Sequence, residues 1–98
     1  MDELLQVKHF KPHVGKNCRF KGTRFIFPLV KVLSDRKRLP EYVKRRPFTL
    51  IFQGPKEREA LPEGLYDCEI DGGPTYPLYV IPIHTAAANR QDYQAVFS

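Results

Sequence analysis

The sequence is poor in the residues that perform chemistry. Its 98 residues include two cysteines and three histidines. The two serines are Ser34 and the terminal Ser98. Neither lies in a G-x-S-x-G setting, so a nucleophile elbow is excluded. No run approaches the ~18 apolar residues that a membrane-spanning helix needs. The opening MDELLQVKHF is acidic at once and has no apolar h-region, which predicts no secretory signal and a cytoplasmic location. Outside an oxidising compartment, Cys18 and Cys68 are expected as two free, partly buried thiols. No segment is low in complexity, and nothing repeats at a period of roughly 20–50 residues.

What is present is apolar bulk and turn residues. Seven Phe and five Tyr, within 42% apolar residues, are enough for one packed core. The length fits one domain, 1–98. Nine prolines and six glycines cut the chain into short segments and exclude long helices. Residues 2–10 read as a short helix, with Asp2 to cap it and Pro12 to stop it. NCRF (17–20) alternates as a strand, and Lys21-Gly22 reads as a tight turn.

TRFIFPLVKVL (23–33) is apolar on both faces, as a strand passing between packing layers would be. Its Pro28 marks an edge or a bulge. PFTLIFQGP (47–55) alternates Phe48, Leu50 and Phe52 inward. KEREALPE (56–63) is a charged connection. GLYDCEI (64–70) places Tyr66, Cys68 and Ile70 in, Asp67 and Glu69 out. TYPLYVIPI (75–83) is a strand whose prolines suggest an edge, and YQAVFS (93–98) closes the chain as another edge candidate. The sum is a mainly β fold: a small antiparallel barrel or sandwich of about six strands with a short N-terminal helix.

Charge divides the chain. Residues 1–49 carry thirteen Lys or Arg against four acids, and residues 50–98 carry three against seven. The densest part is DRKRLPEYVKRRP (35–47). There Arg36, Lys37, Arg38, Lys44, Arg45 and Arg46 offer contacts to phosphate or to an acidic surface, and Tyr42 offers a ring to stack on a base. The leading reading is a solvated loop whose charges keep an exposed connection soluble, and the functional reading next to it is docking onto an acidic protein surface or another copy of this chain. The alternative is a nucleic-acid-binding barrel. PFTLIFQ argues against a base-stacking platform, because its aromatics read as core.

Other chemistry is weakly supported. His9, His13 and Cys18, with His84 or Cys68 as a fourth ligand, suggest a metal only by composition, and Pro12 breaks the helix that would align them. Asp67 and Glu69 read as a solvated strand face rather than an acid–base pair. Gly54-Pro55-Lys56 lacks the remainder of a phosphate loop. The expectation is a protein without catalytic residues, metal or cofactor, and without a membrane.

The landmarks HFKPHVG, FTLIFQGP, LPEGLY, LYVIP and YQAVF, in that order, resemble a family of small bacterial domains known as domain of unknown function 6916. They run Phe10–Gly15, Phe48–Pro55, Leu61–Tyr66, Leu78–Pro82 and Tyr93–Phe97, nearly the whole chain. The family's motifs are turns, aromatics and strand ends, so the resemblance carries no catalytic residue over. Family members are often encoded near phage-tail-like or collar-type genes. The resemblance therefore implies an accessory or assembly role in a phage-derived or multi-subunit structure. The basic 36–46 segment is longer and more basic than the family's usual linker.

Overall fold

The computed structural model describes residues 5–34 and 47–97. The chain enters through a single helical turn, α1 (Val7–Phe10), continued by a 3-10 turn over Lys11–His13. Six strands follow: β1 (Asn17–Phe20), β2 (Ile26–Ser34), β3 (Phe48–Pro55), β4 (Gly64–Ile70), β5 (Thr75–Ile83) and β6 (Arg90–Phe97). They close a barrel in the order β1-β2-β3-β6-β5-β4, every neighbouring pair antiparallel. Of barrel and sandwich, the barrel is the one formed.

The helix is shorter than the expected 2–10. Leu5 and Gln6 are not helical, and Asp2 lies outside the described residues. Gln6 is the cap: its N–H donates to His9 Nδ1 at 2.8 Å, and its carbonyl accepts from the His9 N–H at 3.0 Å. So short a helix has little stability of its own. Tertiary packing of Phe10 holds it. The Phe10 ring is buried at 4.9 Å from Tyr76 and 5.7 Å from both Phe48 and Phe97. Gly15, at φ +94°, then turns the chain into β1, and its N–H donates to the Leu29 carbonyl at 2.7 Å.

β2 is where the barrel turns its corner. Residues 26–28 ladder with β1, whereas residues 29–34 ladder with β3. The register slips between Leu29 and Lys31, leaving Val30 as a bulge. The bulge lies two residues beyond Pro28. It also reverses the inside–outside parity, so Val32 packs against the core while Ile26 is exposed. Thr23–Phe25, expected in this strand, belong instead to the 21–25 loop, which is wider than a tight turn at Lys21-Gly22.

Neither β5 nor β6 is an edge. β5 ladders with β4 over Thr75–Val80 and with β6 over Ile81–Ile83. β6 pairs with β3 along its whole length. Each half of β5 is laddered on one side, so some N–H groups have no partner to serve, and Pro77 and Pro82 sit in such halves.

The interior is largely aromatic. Phe27 stacks on Tyr93 at 4.6 Å and 14°, and Phe48 on Phe97 at 4.6 Å and 11°. Phe20 meets Phe52 edge-on at 5.4 Å. Leu61, from the charged 56–63 connection, is fully buried, and its N–H donates to the Tyr93 hydroxyl at 3.1 Å. The Phe27 ring lies directly against the Gly54 backbone, where a Cβ would overlap it. Phe27 is itself packed against Phe20, Phe25 and Tyr93, so a shift of its ring would disturb those contacts.

Gly54→Ala is therefore expected to destabilise the barrel by about 2 kcal/mol through overpacking, read as a lower urea midpoint at unchanged slope. An unchanged midpoint would mean that Phe27 moves freely. Tyr93→Phe strands the buried Leu61 N–H and is expected to cost about 1–2 kcal/mol at neutral pH. Burial pushes the Tyr93 phenol above its ordinary value of 10.0, against a smaller opposite pull from Leu61. A raised folded-state value stabilises fully below the unfolded value and is lost as pH rises through the folded one. Wild-type stability should thus fall above about pH 10, and Tyr93→Phe should flatten that fall in urea titrations across the alkaline range.

Candidate functional site

The basic residues singled out from the sequence, Arg36, Lys37, Arg38, Lys44, Arg45 and Arg46, and with them Tyr42, lie outside the described residues. Their chain neighbours are placed. Ser34 ends β2 and Pro47 precedes β3. Between them and β6 runs a shallow groove of about 270 Å³, lined by Leu33, Pro47, Thr49 and Val96 among others.

The register explains this groove. Leu33, Thr49 and Val96 are ladder partners on β2, β3 and β6. Their neighbours Phe48, Leu50 and Ala95 point into the core, so this rung faces out. Leu33 is 52% and Val96 53% exposed. The next outward rung is Lys31, Ile51, Gln94 and Ile81. A largely apolar strip thus crosses the outside of β2, β3 and β6, and Lys31 carries its positive charge. Asp92, one rung further on, is paired with Arg90 at 2.9 Å.

A second apolar pair lies on the outside of β4 and β5. Leu65 and Tyr79 are ladder partners, 70% and 49% exposed. Asp67 faces Pro77 on the next rung. The Tyr79 hydroxyl donates to Glu63 Oε2 at 2.6 Å, and that bond to the carboxylate pushes the phenol above its ordinary range. At the far end of this face Arg19 stands opposite Glu69. There an open groove of about 610 Å³ runs past Asn17, Arg19, Glu69 and Asp71.

The chemically able residues are dispersed. Cys18 and Cys68 are free and buried in the core. Their hydrogen bond to one another, with burial behind it, pushes the Cys68 thiol well above the ordinary cysteine range. A protonated thiol in an apolar interior is a packing group rather than a nucleophile. His9 Nδ1 caps α1, and His13 Nδ1 lies 3.3 Å from Lys16 Nζ. Glu57 is paired with Arg24 at 2.8 Å. Among the described residues, no three His, Cys, Asp or Glu side chains gather as a metal site would require, and no helix is long and apolar enough to cross a membrane.

A family model described as "Domain of unknown function (DUF6916)" matches residues 5–97. The chain belongs to this family. No curated protein and no solved structure matches it. In the DUF6916 barrel the family landmarks are structural. Phe10 anchors α1, Gly54 admits the Phe27 ring, Leu61 bonds through its N–H to Tyr93, Tyr93 stacks on Phe27 in the core, and Phe97 stacks on Phe48 at the core's margin. The exposed residues Leu33, Val96, Leu65 and Tyr79 were not singled out from the sequence. The available signal was Leu65, an apolar residue on the solvent parity of the most regularly alternating strand.

Proposed function

We propose that this DUF6916 domain is a non-catalytic protein-binding or assembly module, acting as an accessory component of a phage-derived or multi-subunit structure. One observation carries the reading. Large apolar side chains are spent twice, in a core without a buried polar or charged side chain among the described residues, and again on two outer faces of the barrel. The polar atoms that this core does hold, the Tyr93 hydroxyl and the Cys18 and Cys68 thiols, are engaged by the Leu61 N–H and by one another. Exposed apolar residues grouped by ladder register are what protein interfaces use. The family likeness and the basic 36–46 sequence support the same reading, the latter as a docking aid for an acidic surface. A nucleic-acid platform finds less support, since the stacked aromatic rings are turned inward.

The test is purification of the tagged domain from its own host at moderate salt, followed by rebinding of whatever accompanies it to the purified domain. The expected result is a companion protein, or further copies of the domain, at fixed stoichiometry. Fluorescence anisotropy with single- and double-stranded oligonucleotides runs beside it. A lone monomer under every condition contradicts the proposal. Tight, salt-sensitive oligonucleotide binding contradicts it as well, in favour of the basic stretch as a phosphate grip.

A further inference from the structure

The closed barrel is built of two sheets joined at two corners. β2 ladders first with β1 and then with β3, and β5 first with β4 and then with β6. One of the sheets is therefore β2-β1-β4-β5, and every paired residue of it is described.

Cys18 and Phe20 on β1, and Cys68 and Ile70 on β4, are buried, so Arg19, Lys21, Asp67 and Glu69 point out. Arg19 stands opposite Glu69. The Lys21 N–H donates to the Asp67 carbonyl at 3.0 Å, which sets Lys21 beside Asp67 on the next outward rung. The outer face thus carries a basic strand next to an acidic one. Among the described residues the ion pairs are Arg24–Glu57 and Arg90–Asp92, and these four charges enter neither. Exposed apolar residues border them, Ile26 on β2 and Leu65 and Tyr79 on β4 and β5.

We infer that this face binds the same face of a second copy, about a two-fold axis that runs parallel to the strands between β1 and β4. The inference rests on the reading of the domain as a binding module and names the partner of its β4–β5 face. That axis lays β1 of each copy on β4 of the other, so Arg19 meets Glu69 and Lys21 meets Asp67, once on each side of the axis. The same operation sets Leu65 over the 21–25 loop of the other copy and takes it out of water. The in-plane two-fold that runs across the strands lays β1 on β1 and β4 on β4, like charge on like, which disfavours it. A contact that uses one face in both copies closes at a dimer. Strands about 4.8 Å apart and outward rungs about 6.8 Å apart frame roughly 500 Å² on a four-stranded face of this length. Two copies then cover about 1,000 Å², the lower bound of a specific interface, so the dimer is weak and sensitive to salt.

Sedimentation velocity at rising concentration tests this. Wild type should pass from monomer to dimer and stop there, and added salt should weaken the association. Arg19→Glu sets acid against acid, and Glu69→Lys sets base against base. Each alone should dimerise at least about tenfold more weakly. An equal mixture of the two should regain the dimer, because each contact again joins an acid to a base. Val96→Asp, on the other sheet, should leave the association unchanged. Arg19 and Glu69 lie on the solvent side of their strands, so both variants should keep the circular dichroism of wild type. If either unfolds, Lys21→Glu and Asp67→Lys repeat the exchange one rung on.

Wild type that stays monomeric at every concentration overturns the inference, as does wild type that grows past a dimer. A mixture that stays monomeric overturns it too, and so does a dimer that Val96→Asp breaks and Arg19→Glu leaves intact. A wild type that is monomeric alone yet rebinds a companion protein overturns the dimer and leaves the binding-module reading standing. One that is monomeric and rebinds nothing overturns both.

Discussion

The barrel depends on one close contact, the Phe27 ring lying on the bare backbone of Gly54. β2 leaves β1 and joins β3 within nine residues, and the Val30 bulge turns it. At that corner the two strands cross over a side chain, and the absence of a Cβ at Gly54 makes room for an aromatic one. Phe27 in turn stacks on Tyr93, and Tyr93 takes the Leu61 N–H. One glycine thereby sets the position of a ring, a strand and the loop that carries Leu61. At the other aromatic cluster Phe10 plays a similar part, joining α1 to Phe48, Tyr76 and Phe97.

A barrel filled with aromatics has consequences for what it can do. Each buried Phe contributes roughly 2–3 kcal/mol by leaving water, and the same rings occupy the space in which a ligand would sit. The cysteines contribute to this interior and are consumed by it. On the proposed reading binding falls to the outer surface, where the ladder register groups apolar residues of different strands.

Much of the fold was legible because several strands are half-buried and alternate cleanly. Tyr66, Cys68 and Ile70 point inward as their spacing predicts, and so do Phe48, Leu50 and Phe52. β2 was less legible because both of its parities are apolar, so a one-residue bulge leaves no trace in the pattern. The start of α1 was misplaced because a single turn is held by where Phe10 docks rather than by its own propensity. Leu61 is one apolar residue in a charged connection, and its burial follows from the hydroxyl of a residue 32 positions away. The prolines of β5 suggested an edge because proline is excluded from fully laddered strands, and a strand that changes partners midway satisfies the same rule. The outer patches needed the register: Leu33 and Val96 are far apart in the chain and meet across Thr49. The basic residues 36–46 were conspicuous in the sequence and lie outside the described residues.

The central claim is that the interior only supports the fold and the two outer faces do the binding. The most direct measurement is methyl and backbone NMR of the isotopically labelled domain, titrated with the protein that accompanies it from its own host or with unlabelled copies of itself. Shifts should appear at outward residues such as Leu33, Thr49 and Val96 or Leu65 and Tyr79, while Phe27, Phe52 and Tyr93 stay fixed. Shifts centred on those core rings, or none at either outer face with either partner, would contradict the account.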